Sequence, residues 1–423
     1  MTTRHLFRGS VFCLFVTCTT TLPLDDHFFR ASWSPTEPRF ERNILKTIEF
    51  PVRYGSSHSA YNSHGHKTSL FDLYGTHALA QASKGVVGMT ESNPTDKLFL
   101  DLTQEAAASH DPLFGTLSFD GKESLAEFAY TVHQNFYHGL FLTAFLPVRV
   151  QKISELRWHD LTNPDAVTPT WTTIKNNLNE LLCQRYNLCL ASKHAHHVEC
   201  DAYFLLGWTH NNENTTTFDF VDTTLQAGFI IPDDHTSRNF YLPLSLPSTA
   251  NGHWGFPVRA ALSGGLFEWL TLGGSFDATF YAPKHETIRL KTNPEQRGLI
   301  TFDYDRTEIH QGPLWNASTY FKIDHIAETV SLMLGYSYAK KTSADICACS
   351  DQFAPSIINS DPRYRGWNIH TLHFVGEYDF SQEDKRFGPR IGLFYDKILA
   401  GESIINNSMG GGLFGLEVAL DLP

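Results

Sequence analysis

From about residue 114 onward the chain alternates apolar and polar side chains with a period of two, the pattern of strands that bury or expose one apolar face. Leu140, Leu142, Ala144, Leu146, Val148 and Val150 share one parity, with Thr143, Arg149 and Gln151 on the other. Leu270, Leu272, Phe276, Ala278 and Phe280 alternate with Thr271, Ser275, Asp277 and Thr279. The same holds for Trp315 to Asp324, Val330 to Tyr338, Thr371 to Phe380, Arg390 to Asp396 and Phe414 to Leu422. These runs last about ten to fifteen residues, whereas strands of soluble domains usually have five or six. The pattern predicts twelve strands, near 114–121, 124–136, 139–153, 200–212, 216–232, 254–267, 270–284, 312–325, 328–342, 366–380, 386–399 and 411–422.

The connections alternate in length. Short turns fall near Phe136 to Gly139, Asn212 to Thr216, Glu268 to Trp269, Ile326 to Glu328 and Ser381 to Arg386. Long loops fall near 154–199, 233–253, 285–311, 343–365 and 400–410. With this asymmetry and an even strand count, the pattern over roughly 114–423 resembles the bacterial outer-membrane β-barrel class and is porin-like. The resemblance implies an all-β, up-and-down transmembrane antiparallel barrel with short periplasmic turns and long outer loops. It also implies membrane lipid and the outer-membrane assembly machinery as partners. One departure concerns that machinery: such barrels commonly end in an aromatic residue, whereas this chain ends Val418-Ala419-Leu420-Asp421-Leu422-Pro423.

Ahead of the barrel, Met1 to Leu24 reads as an export signal, with Arg4 and Arg8 before a short apolar stretch from Val11 to Val16. Residues 25–110 lack sustained periodicity and are expected to form an N-terminal periplasmic arm or plug, leaving 111–423 as the barrel. Inside the longest loop Ile174, Leu178, Leu181 and Leu182 recur at helical spacing, which predicts a helical segment near 171–190 over the barrel mouth.

Composition narrows the partners. Of 423 residues only 18% are charged, and the formal net charge is -12 without basic clusters, so nucleic acid is excluded as a partner. No run of eighteen apolar residues occurs, which excludes a helical membrane protein. Phe is abundant, at 32, with 16 Tyr, yet the mean hydropathy is only -0.24. Two opposite strand faces, one apolar and one polar, average to such a value. Trp208, Trp254, Trp269, Trp315, Trp367, Tyr336, Tyr338, Tyr378 and Tyr395 are candidates for interfacial girdles.

On the polar parity stand Glu127, Arg149, Asp222, Arg259, Asp277, Lys322, Asp324, His373, Glu377, Arg390 and Glu417. With lipid outside, these are the expected lumen-lining residues, and rings of both signs bias which solute passes. The expected function is therefore passive passage of small polar solutes, as in a porin-like channel. The alternative is a structural or surface-interaction barrel with a closed lumen that works through its outer loops.

Outer-membrane phospholipases resemble this chain in strand number, but they use Ser and His on the lipid-facing side. Here the strand histidines His133, His210 and His373 mostly share the polar parity, and no Gly-x-Ser-x-Gly elbow occurs. No enzyme activity and no cofactor are expected. Gly410-Gly411-Gly412 lacks the Lys-Ser/Thr of a phosphate loop and suits close strand approach instead. The Cys and His residues of the 154–199 loop match no metal-site spacing, so no metal is expected. A loop-stapling disulfide among Cys183, Cys189 and Cys200 suits an oxidising envelope, with its connectivity open.

Overall fold

A computed structural model describes residues 45–190, 195–213, 215, 217–232, 252–267, 269–326, 329–380 and 387–419. The export segment at 1–24, the start of the 25–110 segment and the last four residues lie outside the described residues.

Twelve strands follow one another around a closed antiparallel ring: β1 Leu45–Ser57, β2 Thr116–Asn135, β3 Leu140–Asp160, β4 Ala202–Glu213, β5 Phe220–Ile231 and β6 Gly255–Leu266 form the first half. The second half is β7 Leu270–Tyr281, β8 Leu314–Ile326, β9 Val330–Lys341, β10 Trp367–Asp379, β11 Phe387–Glu402 and β12 Met409–Ala419. Each strand pairs with the next, and β1 closes on β12 from Leu45↔Ala419 to Gly55↔Met409. Closure leaves no unpaired edge, the condition for a sheet to sit in hydrocarbon.

The strand count agrees with the sequence pattern, but two members differ. The predicted strands 114–121 and 124–136 are one continuous strand, β2, whose register shifts between Asp120 and Lys122. Gly121, which resembles a turn residue, is there because a Cβ would lie 2.5 Å from the ring of Phe71. The missing strand is β1, inside the segment expected to be an arm or plug. Ile48, Phe50, Val52 and Tyr54 do alternate there, but Pro51 reads as a strand breaker. Pro51 is accommodated opposite Leu413, while the β1–β2 register is interrupted between Glu49↔Thr131 and Val52↔Phe128. The rest of that segment, 58–115, connects the Ser57 end of β1 to the Thr116 end of β2, the end of the ring at which the long connections lie.

The outer face of the ring is apolar and exposed, carrying Val52, Phe128, Leu142, Leu206, Leu225, Phe276, Leu332, Phe374, Leu393 and Phe414 among others. Aromatics flank this band, with Trp208, Trp269 and Tyr378 toward the short-turn end and Trp254 and Tyr395 toward the other. Trp367 does not join a girdle. It is 3% exposed and packs with Ala339, Ile369, Ile398 and Ile404.

Beyond the long-loop end, the connections build a cap with its own core. Leu70, Phe71, Leu79, Phe99 and Leu102 of the 58–115 segment pack with Trp171, Ile174, Leu182, Leu188 and Phe302. Helix Pro94–Ala108 starts at Asn93, whose side chain accepts from the backbone N–H of Thr95 and Asp96. The 154–199 loop contributes helices Pro169–Asn176 and Leu178–Tyr186, joined to Cys189 by a Cys183–Cys189 disulfide. Asp96, fully buried, accepts from Arg185 Nε and Nη2 and from the Tyr186 hydroxyl, all at 2.8 Å, and so links the two helical segments. A three-stranded sheet of Lys284–Leu290, Asp303–His310 and Asp345–Ala348 forms a second small core around Ile288, Ile309, Ile346 and Ile358.

Candidate functional site in the barrel interior

Strand parity sends one side chain in two to the interior, and there the buried positions are largely polar. On β1 these are Thr47, Glu49, Arg53 and Ser57; on β2, Glu123, Glu127, Thr131 and His133. Charges taken out of water must be paired and hydrogen-bonded. The interior meets that requirement by linking neighbouring strands. Glu127 receives Arg149 Nε of β3 at 2.5 Å and pairs with Arg53 Nε of β1 at 3.3 Å. Arg53 also lies 3.9 Å from Asp396 of β11 and 5.1 Å over the Phe394 ring. Asp396 in turn holds His373 Nδ1 of β10 at 2.7 Å, and His373 Nε2 lies 2.7 Å from Ser337 Oγ of β9.

On the other side of Ser337 a second chain begins. Ser318 of β8, its cross-strand partner, is 2.7 Å from Ser275 Oγ of β7, next to the Arg259–Asp277 ion pair at 3.1 Å. Asn316 donates to Asp277 at 3.0 Å. Polar contacts thus run along the inner wall in two stretches, one from β6 to β8 and one from β9 to β11 and on to β1, β2 and β3, which stand side by side at the Ser318–Ser337 cross-strand pair. The wall makes room for them by omitting side chains: Arg53 stands opposite Gly411 and Arg390 opposite Gly415, where a Cβ would lie 2.5 Å from the arginine.

These contacts border a cavity of ≈ 280 Å³ to which all twelve strands contribute. Glu49, Arg53, Arg149, Arg259, Asp277, His373 and Asp396 line it together with Ser275, Ser318 and Ser337. Phe145, Tyr203, Leu314, Val375, Phe394 and Leu413 supply its apolar surface. It is therefore an amphiphilic chamber with charges of both signs.

All eleven residues picked out by parity in the sequence stand at inward positions, but the structure divides them. Arg149, Arg259, Asp277 and His373 face the chamber. Glu127 lies behind Arg53 and Arg149 as their shared partner. Lys322 pairs with Asp324 at 2.9 Å, and Thr271 donates to Asp324 at 3.2 Å, near the short-turn end. Arg390 pairs with Glu49, and Asp222, Glu377 and Glu417 occupy inward positions near the same end without bordering the chamber. His210, by contrast, points outward beside Trp208. Glu49 and Arg53 were missed because they sit on β1. Their signal was present in the alternation of Thr47, Glu49 and Arg53 with Ile48, Phe50 and Val52.

Among the described residues no group of three or more His, Cys, Asp or Glu is arranged to hold a metal ion. His194 and the side chains of His196 and His197 lie outside what is described. Cys347 and Cys349 are exposed thiols.

No protein-family model matches the chain, and no curated protein does. Solved structures do. An outer membrane channel from Pseudomonas putida F1 is 10% identical, covers 92% of this chain and 100% of its own, and superposes with a TM-score of 0.46. The Pseudomonas putida toluene transporter TodX is 13% identical over 90% of each chain, with a TM-score of 0.31. The NanC porin is 10% identical over 70% of this chain and 94% of its own, with a TM-score of 0.32. Likeness at this level assigns no substrate.

Proposed function

We infer function from a closed twelve-stranded ring whose apolar, aromatic-bordered outer band is the architecture of bacterial outer-membrane β-barrels. We propose that the barrel lets small polar solutes pass passively across the bacterial outer membrane. The observation that carries this reading is the chamber of ≈ 280 Å³, enclosed by all twelve strands and bordered by Arg53, Arg149 and Arg259 against Glu49, Asp277 and Asp396. Charges of both signs along an aqueous path weigh cations against anions without binding either tightly. Membrane lipid covers the outer band, and the outer-membrane assembly machinery inserts the chain. No cofactor takes part.

Purified protein in a planar bilayer tests this, with discrete, ion-selective conductance steps expected. Arg149→Gln combined with Arg259→Gln removes two cations from the chamber. It should raise the cation-to-anion permeability ratio roughly thirtyfold, since two unit charges acting at about 8 Å through water shift cations and anions by about 1 kcal/mol each in opposite directions. Silence from folded, inserted protein would sink the reading. It would favour the second one, a barrel with a closed lumen acting through its outer loops, for which the cap's separate hydrophobic core speaks.

A further inference from the structure

We propose that Ser337, His373 and Asp396 form an acyl-transfer site inside the barrel that hydrolyses short-chain carboxylic esters. The three residues come from adjacent strands, β9, β10 and β11, and all point inward. His373 is the cross-strand partner of both Gly335 and Asp396, and Ser337 lies two residues beyond Gly335. His373 Nδ1 is 2.7 Å from Asp396 Oδ1, and His373 Nε2 is 2.7 Å from Ser337 Oγ. A carboxylate can only accept, so Nδ1 carries the proton in the neutral imidazole and Nε2 is the lone pair facing the Ser337 hydroxyl. That is the order of contacts a nucleophile, its base and the group orienting the base require.

Two further observations separate this arrangement from an ordinary network that satisfies buried groups. All three residues border the chamber of ≈ 280 Å³, where Ser337 and His373, 2% and 1% exposed, present a narrow part of their surface to a ligand. Ser337 is also flanked by hydroxyls: Ser318 stands opposite on β8 and Thr371 opposite on β10. Thr371 is 3% exposed, and its hydroxyl has no hydrogen-bond partner among the described residues. Side chains directly opposite in an antiparallel pair are within reach of one another. The Thr371 hydroxyl is therefore an uncommitted donor beside the nucleophile, where negative charge develops on the carbonyl oxygen of an ester under attack. Gly335 leaves the inner position opposite His373 without a side chain. Leu314 and Val375 provide an apolar wall for a short acyl group.

The chemistry balances with water as the only co-reactant. Ser337 Oγ bonds to the carbonyl carbon as its proton moves to His373 Nε2. The carbon–oxygen bond to the alcohol breaks, and the alcohol leaves with that proton. Water then gives a proton to His373 Nε2 as its oxygen bonds to the acyl carbon, the acyl–Oγ bond breaks, Ser337 Oγ takes that proton back from His373, and the acid leaves. Ser337 and His373 are the catalytic residues. Asp396 is a positioning residue that fixes the imidazole's orientation and tautomer.

The test uses the full chain, folded and inserted, with diisopropyl fluorophosphate and p-nitrophenyl acetate as probes. Fluorophosphate should attach to Ser337 with loss of fluoride, mapped by the mass of the Ser337 peptide, and acetate release should exceed the blank. Ser337→Ala should abolish both. Asp396→Asn should lower kcat by about 10⁴-fold with KM unchanged, since it removes orientation and not binding. If Ser337→Ala does not fold, the mapped adduct on unaltered protein decides. Folded protein with unmodified Ser337 after exposure to the probe overturns the proposal. Conductance read on the same sample keeps the two functions apart, because conduction without labelling removes only the hydrolase, and labelling without conduction removes only passage.

Discussion

The ring and the cap solve opposite problems with one polypeptide. In the ring, apolar side chains such as Phe276 and Leu393 are 52% and 74% exposed, and the charges are inside. In the cap, Phe71, Phe99 and Trp171 are fully buried, as in any water-soluble core. Even the ion pairs differ in purpose. Glu127 is surrounded by two arginines across strands, whereas Asp96 fastens one helical segment to another. The difference shows that burial here is set by which solvent a segment faces, and that a single chain carries two hydrophobic patterns, period-two outward and clustered inward.

The comparison breaks most sharply at the lipid face. Phe276→Arg places a charge near the middle of β7, where lipid should make it cost about 4 kcal/mol. The fraction of heat-modifiable, folded barrel on a detergent gel should fall while the isolated cap chemistry, including the disulfide, is unchanged. An equal fall in water-soluble and lipid-inserted preparations would contradict the assignment of this face.

Acid should separate the two regions next. Burial pushes the His77 imidazole down to about 4, although the Phe71 backbone partly opposes this, and the Leu299 N–H donates to Nδ1 at 3.1 Å. Because the folded value is depressed below the ordinary 6.5, the unfolded chain takes up the proton first. The stability His77 contributes is present above pH 6.5 and is lost as pH falls toward 4, by roughly 3 kcal/mol. Asp96 adds a later step. Burial raises its carboxyl, but hydrogen bonds from Arg185, Tyr186 and the Thr90 backbone outweigh burial and leave it below the usual carboxylate range. Its contribution, present above the unfolded value, disappears only as pH drops through that lower value. Limited proteolysis between pH 7 and pH 4 should therefore cut 58–115 before any barrel strand. His77→Gln should flatten the first step. Simultaneous loss of ring and cap would merge what the structure divides.

The smallest effect is expected from the disulfide. It closes a short loop, so Cys183→Ala with Cys189→Ala should cost about 2 kcal/mol of cap stability. Thermal unfolding followed by cap proteolysis should register the change, with barrel migration unaltered. A shift in the barrel transition would mean that ring and cap unfold as one unit.

Much of the ring was legible because lipid and lumen impose a strict period of two, which survives in Leu140 to Val150 or Trp315 to Asp324 without any tertiary information. The failures have local causes. Pro51 masked β1, and Gly121, present for Phe71, imitated a turn and split β2. The cap was illegible for a different reason: its core joins Phe71, Trp171 and Phe302, which share no periodicity and meet only after the strands are in place. For the interior, parity gave the inward face of every picked residue. It could not say that His373 meets Ser337 and Asp396, since cross-strand neighbours are chosen by register and each of these three lies on a different strand.

The pairing of β1 with β12 sets the order of events when the barrel forms. The first strand made must wait for the last, because Arg53 finds Gly411 and Val52 finds Gly412 only at the end of the chain. Such a contact is about as non-local as this chain permits, and closing it comes late and slowly. A nascent ring would stand open along one seam until Met409–Ala419 arrives. There Gly411 lets the Val52 carbonyl approach to where a Cβ would be 1.9 Å away. The bare backbone at that seam acts as a clasp, fastening last and admitting no bulkier residue.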